Sequence, residues 1–99
     1  MAIVAVSIAP SDVGISLSKY VAAAERVLRE DGRVKYRLDP MFTTIEGDLD
    51  VIFEIIRQMQ EAVFAEGSKR VGTVIKIDYR RDKPHDMEGK IRAVEEKLK

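Results

Sequence analysis

Arg33-Val34-Lys35-Tyr36-Arg37-Leu38-Asp39-Pro40-Met41-Phe42-Thr43-Thr44-Ile45-Glu46-Gly47 is the stretch whose reading decides the fold. Val34, Tyr36 and Leu38 alternate with Arg33, Lys35 and Arg37, the period of a half-exposed strand over Arg33–Leu38. Asp39-Pro40 breaks the run, because proline lacks the N–H a ladder needs and presets a turn. Met41 to Glu46 then reads as a second strand. Alternation puts Met41, Thr43 and Ile45 on one face and Phe42, Thr44 and Glu46 on the other. Neither face is purely apolar or purely charged, and such a mixed surface on a rigid strand suits recognition of a small polar ring. The same threonines also suit a plain edge hairpin, through strand propensity alone.

Upstream, Ala2–Ala9 is a β-branched run that reads as a buried central strand ended by Pro10. After the loop Ser11–Gly14, Ser16 or Ser18 is placed to cap a helix. Leu17, Tyr20, Val21, Ala24, Val27 and Leu28 form its apolar stripe, with Lys19, Glu25, Arg26 and Arg29 mainly outside. Gly32 supplies a left-handed stop. Downstream, Asp48 caps a second helix whose apolar set is Leu49, Ile52, Phe53, Ile56, Met59, Val63 and Phe64, ending at Gly67. Val71–Arg80 is the last strand, with Val71, Thr73, Ile75, Ile77 and Tyr79 sharing a face. Beyond the basic turn Arg80–Pro84, Asp86 caps a third helix over about 86–98. Its seam of Met87, Ile91, Val94 and Leu98 is narrow enough to pack on a single neighbour.

The order is strand, helix, strand, strand, helix, strand, then a terminal helix. This predicts an α+β, ferredoxin-like βαββαβ domain over 1–99, with two helices on one face of a four-stranded antiparallel sheet. The first and last strands carry apolar residues on both faces: Ile3, Ala5 and Ala9 against Val4, Val6 and Ile8, and Ile75 and Ile77 against Val74. Helices on one side only would leave an apolar sheet face open, and oligomerisation through it is the economical answer.

Composition excludes several classes. The 99 residues hold 17 Lys and Arg and 17 Asp and Glu, a formal net charge of zero that argues against wholesale nucleic-acid binding. There is no cysteine, hence no disulfide, thiolate metal site or cysteine nucleophile. Ala2–Ala9 is too short for a membrane span and lacks a basic leader, so a cytoplasmic address is expected. The single histidine, His85, sits beside Asp86 with no converging ligands for a metal, and reads as a loop residue. No nucleophile–base pair is apparent, so no catalytic residue, cofactor or metal is assigned. An RNA-recognition sheet would show aromatic residues on the central strands, which Ala2–Ala9 lacks.

Several segments together resemble the small thiamine-binding protein family, the single-domain relatives of the YkoF-like thiamine-binding proteins. They are Ser16-Leu17-Ser18-Lys19-Tyr20-Val21, Pro40–Gly47, Gly67-Ser68-Lys69-Arg70-Val71 and Asp78-Tyr79-Arg80-Arg81-Asp82-Lys83, with Lys90 in the terminal helix. Each is weak alone; in this order and at these distances they span nearly the whole chain. The resemblance implies a ferredoxin-like fold, dimers paired into homotetramers, and non-catalytic binding of thiamine or its hydroxymethylpyrimidine portion. One departure is Met59-Gln60-Glu61, where many members carry a histidine.

With that ligand in view, Glu46 is the leading candidate contact, because a carboxylate accepts from an exocyclic amine and favours a thiazolium. It is equally suited to pair with Arg70 or Lys69, or to assist the second helix's cap. Alternation places Thr44 with Glu46 and Thr43 beside Met41. Met41, Phe42 and Tyr20 are candidate ring walls or core residues. Ser7 interrupts an apolar strand, so its hydroxyl must find a partner in a pocket or on the backbone. Arg70 is expected behind the ligand contacts, in support of Glu46. Arg80, Arg81 and Lys83 form a turn suited to an anion such as a phosphate, or to solvent and salt bridges. The leading expectation is a metabolite-binding protein; the alternative is an oligomeric regulatory or structural domain without a thiamine ligand.

Overall fold

The computed structural model describes Met1–Lys99, in the order β1 (Ala2–Pro10), α1 (Ser18–Asp31), β2 (Lys35–Leu38), β3 (Thr43–Gly47), α2 (Leu49–Ala65), β4 (Val71–Tyr79) and α3 (Met87–Lys97). The strands form one antiparallel sheet in the order β2-β3-β1-β4, the ferredoxin-like arrangement. The two strands read in Arg33–Gly47 are both present but shorter than the alternation suggests. β2 opens at Lys35, and β3 opens at Thr43 because Asp39–Phe42 is spent on the turn, where the Asp39 N–H donates to the Phe42 carbonyl at 2.9 Å.

Register decides which side chains share a face. Val4 pairs with Ile45 and Ile77, and Val6 with Thr43 and Ile75, so these residues look toward α1 and α2. Ala2, Val4, Val6, Ile8 and Ile45 meet Tyr20, Ala24 and Leu28 of α1 and Ile52, Ile55, Ile56, Met59 and Val63 of α2 in the core. Phe53 and Phe64, expected in the apolar set of α2, are 45% and 39% exposed, and Ile55 is buried instead. The helix layer covers β1 more fully than β4, whose Ile75 and Ile77 remain 39% and 40% exposed.

Capping follows chemistry at two of three helices. The Asp48 carboxylate accepts from the Asp50 and Val51 N–H groups, and Asp86 from Gly89 N–H. Neither Ser16 nor Ser18 caps α1: Leu17 occupies the cap position with no side-chain bond, and Ser18 is already helical. Gly32 closes α1 at φ 77°, a left-handed conformation costly for other residues.

The opposite sheet face carries Ile3, Ala5, Ser7 and Ala9 on β1, Thr44 and Glu46 on β3, and Val74, Lys76 and Asp78 on β4. The first turn of α3 covers its Ile3 end. There the Glu46 carboxylate accepts from Met87 N–H at 2.9 Å, and Ile3, Glu46 and Met87 are all buried. The rest of α3 projects: Ile91, Val94 and Leu98 are 40%, 60% and 78% exposed. This arm stretches the molecule to 45 × 29 × 19 Å.

Candidate functional site

The Asp39–Phe42 turn folds against α1 on the helix side of the sheet and closes a pocket of about 100 Å³. Val6 and Ile8 of β1, Val21 and Ala24 of α1, and Met59 of α2 give it apolar walls, with Met41 and Phe42 contributed by the turn. Two polar groups converge inside. Thr43 Oγ1 donates to Glu25 Oε2 at 3.0 Å, and Glu25 Oε1 is buried with no hydrogen-bond partner. A carboxylate oxygen shielded from water and left without a donor is costly, so such atoms mark places where a partner is wanted. Burial pushes the Glu25 carboxyl above the ordinary range, with the Thr43 bond acting in the opposite sense.

Glu25 was not among the residues the sequence singled out. Its signal is nevertheless present: Val21, Glu25 and Leu28 are spaced at helical steps, which puts the carboxylate on the flank of the apolar stripe. The proposed candidates divide. Thr43, Met41 and Phe42 line the same pocket, and Ser7 adjoins it although register turns its side chain to the opposite sheet face. Met41 is 80% exposed and sits at the mouth. Tyr20 is buried in the core beneath α1.

Thr44 and Glu46 lie on the other face of the sheet, as alternation requires. The Thr44 hydroxyl donates to Asp39 Oδ2 at 3.3 Å. Glu46 holds Met87 N–H and lies 3.7 Å from Lys35 Nζ, which in turn pairs with Glu88 at 3.0 Å. Arg70 precedes Val71, which pairs with Pro10, whereas Glu46 pairs with Ile3. The register therefore separates Arg70 from Glu46 by most of the sheet's length. Arg70 contributes through its backbone instead: its carbonyl accepts from Ser11 N–H at 3.0 Å and from the Ser68 hydroxyl at 2.9 Å.

Arg80 forms a forked pair with Asp82, while the Arg81 guanidinium stands 5.2 Å from the centre of the Tyr79 ring. Both lie with Lys83 at the end of the sheet remote from the Glu25 pocket. Where a histidine is expected from the resemblance, Gln60 donates to Thr73 Oγ1 at 2.9 Å and ties α2 to β4. No group of three or more His, Cys, Asp or Glu side chains is arranged to hold a metal ion, and no helix is long and apolar enough to cross a membrane.

A ferredoxin-like sheet thus carries a small pocket in which apolar side chains surround Thr43 and the carboxylate of Glu25, with Asp39 of the turn also in the lining. The family model described as thiamine-binding protein matches residues 4–95, and the chain belongs to that family. A protein encoded in the glkA 3′ region of Staphylococcus xylosus, of the UPF0045 group, is 45% identical over 99% of this chain and 95% of its own length. The Bacillus subtilis UPF0045 protein YqgV is 43% identical over 99% of this chain and 98% of its own. Among solved structures, a hypothetical protein of Methanocaldococcus jannaschii superposes with a TM-score of 0.87 at 36% identity, over 96% of both chains. A Thermotoga maritima protein provisionally named for thiamine biosynthesis or salvage gives 0.79 at 22% identity, over 94% of this chain and 97% of its own, a likeness of fold.

Proposed function

We propose that this protein binds thiamine, or its hydroxymethylpyrimidine portion, without catalysing a reaction, and that the aminopyrimidine ring enters the pocket beside Glu25. The observation that carries the reading is the unpartnered Glu25 Oε1 in a recess walled mainly by apolar side chains. An aminopyrimidine carries an exocyclic amine with two donors, so it can satisfy the carboxylate and also donate to the Thr43 hydroxyl oxygen, whose own proton is given to Glu25. Phe42 and Met41 supply a flat apolar contact and a polarisable one. The recess of about 100 Å³ is smaller than the apolar cavity of about 150 Å³ known to take benzene, so the ring would enter by its amine edge, with the exposed Met41 yielding at the mouth. The thiazolium would then lie outside, past the exposed Met41. Glu46, with its oxygens committed to Met87 and Lys35, anchors α3 in this reading.

Assembly into a homotetramer belongs to the same proposal. The exposed seam of α3, the open sheet face and the partly exposed apolar side chains of β4 support it. Thermal denaturation with and without ligand tests the binding directly. A ligand at 100 times its Kd stabilises the native state by about 2.7 kcal/mol, a shift of about 10–20 °C for a domain of this size. Hydroxymethylpyrimidine and thiamine are both expected to raise the Tm. Absence of a shift with either at millimolar concentration would overturn the proposal.

A further inference from the structure

The basic turn expected to suit an anion lies on a groove of about 760 Å³ between the end of β4 and α3. Its lining is rich in charge, and the charges are unevenly committed. Asp78 is paired with Lys90, and Asp86 accepts from Gly89 N–H, so both acids have donors already. Lys83 and Arg92 line the same groove and make no ion pair or hydrogen bond with any side chain. His85 is in the same lining, and its Nε2 is buried with no partner. Arg92 is folded against the first turn of α3: an ideal Cβ built on Gly89 would come within 3.8 Å of its Nη2. Arg80 lines this groove as well, though it is forked onto Asp82.

Two uncommitted cations thus flank a groove whose two acids already have donors, and an imidazole nitrogen without a partner is buried in its wall. Arg and Lys side chains recognise phosphate oxygens through charge-assisted hydrogen bonds. The geometry points to a second binding site in this groove, for a phosphorylated small molecule held by Lys83 and Arg92 beside His85. The volume exceeds a lone phosphate and falls within the range of metabolite sites. It is lined by residues of one subunit, Val94 of the α3 seam among them, so the test is made on the native assembly. The groove lies where Tyr79 pairs with Ala2, whereas the Glu25 pocket lies at Val6–Ile8, about 13–20 Å along β1 at the usual strand rise. The inference stands apart from the pyrimidine reading, since neither site uses the other's residues.

Pyrophosphate titration of the native assembly, followed by calorimetry and by the His85 imidazole resonances, tests this. Saturable binding is expected, with the His85 signals moving at the same midpoint. The Lys83→Ala/Arg92→Ala double variant should bind at least about tenfold more weakly. Lys97→Ala, which removes a cation outside the groove, should bind as the wild type does, and Glu25→Gln likewise. Failure to saturate at millimolar pyrophosphate would overturn the assignment. So would unmoved His85 resonances, or equal weakening by Lys97→Ala, the mark of non-specific charge attraction. A double variant with native melting and native affinity would overturn it as well.

Discussion

Glu25 is a side chain whose cost to folding and value to binding have opposite signs. Its carboxyl is held above the ordinary range by burial, so between the ordinary and the raised value the folded state binds more protons than the unfolded one. The ionised group therefore opposes folding near neutral pH, and the penalty fades as pH falls through the raised value. Glu25→Gln keeps the shape and an acceptor for Thr43 but removes the buried charge. It is expected to raise the Tm of the free protein while weakening pyrimidine binding, which differential calorimetry and a binding titration would show together. Binding by the wild type should also decline in acid at a higher pH than an ordinary glutamate would give, as read from Kd against pH. A sequence reader sees an acidic residue beside an apolar stripe and assigns it to solvent. The pocket exists only because the Asp39–Phe42 turn folds back over that flank, a tertiary fact. Thr43, Met41 and Phe42 were legible as a mixed cluster because they lie within the turn and strand that build it.

Strand β3 shows how one element serves two faces. Its odd positions, Thr43 and Ile45, look into the helix layer, and its even positions, Thr44 and Glu46, look toward α3. The alternation was readable from sequence; what covers each face was not, because α3 reaches Glu46 from more than forty residues away. Glu46→Ala should leave Met87 N–H without its acceptor and destabilise the docked helix by about 1–3 kcal/mol. Hydrogen exchange should quicken over Met87–Lys90 while the β1–β3 ladder stays protected. Acid should act on the same element. Glu88 and Asp78 are held below their ordinary values, Glu88 by the hydrogen bond from Lys35 and Asp78 by that from Lys90. Their contribution is complete above the ordinary carboxylate range and is lost as pH falls through the lowered values, so α3 protection should fall in acid before the sheet melts.

At the scale of the whole molecule, the order of elements and the antiparallel sheet followed from the hydrophobic periods alone, since each segment's pattern matched its local structure. The coverage of the sheet did not, because helix-layer placement depends on packing between distant elements. The radius of gyration is 14.7 Å, above the roughly 13 Å usual for a chain this size, and the excess is the α3 arm. An arm with Ile91, Val94 and Leu98 in solvent is poorly supported by its own subunit. Ile91→Asp with Val94→Asp should dissociate the proposed tetramer toward smaller species while leaving the Glu25 pocket intact, as sedimentation velocity would report. A wild-type protein that sediments as a monomer at micromolar concentration would contradict the assembly.

Titration calorimetry with hydroxymethylpyrimidine on the wild type, Glu25→Gln and Glu46→Gln separates the two carboxylates that the β3 face alternation keeps apart. A hydrogen bond to a charged group contributes about 1.5–3 kcal/mol, so Glu25→Gln should weaken binding about ten- to a hundredfold. Glu46→Gln should bind within about twofold of the wild type, its effect confined to α3. Equal affinity in the wild type and Glu25→Gln, or a loss confined to Glu46→Gln, would contradict the account and move the ligand to the other face of the sheet.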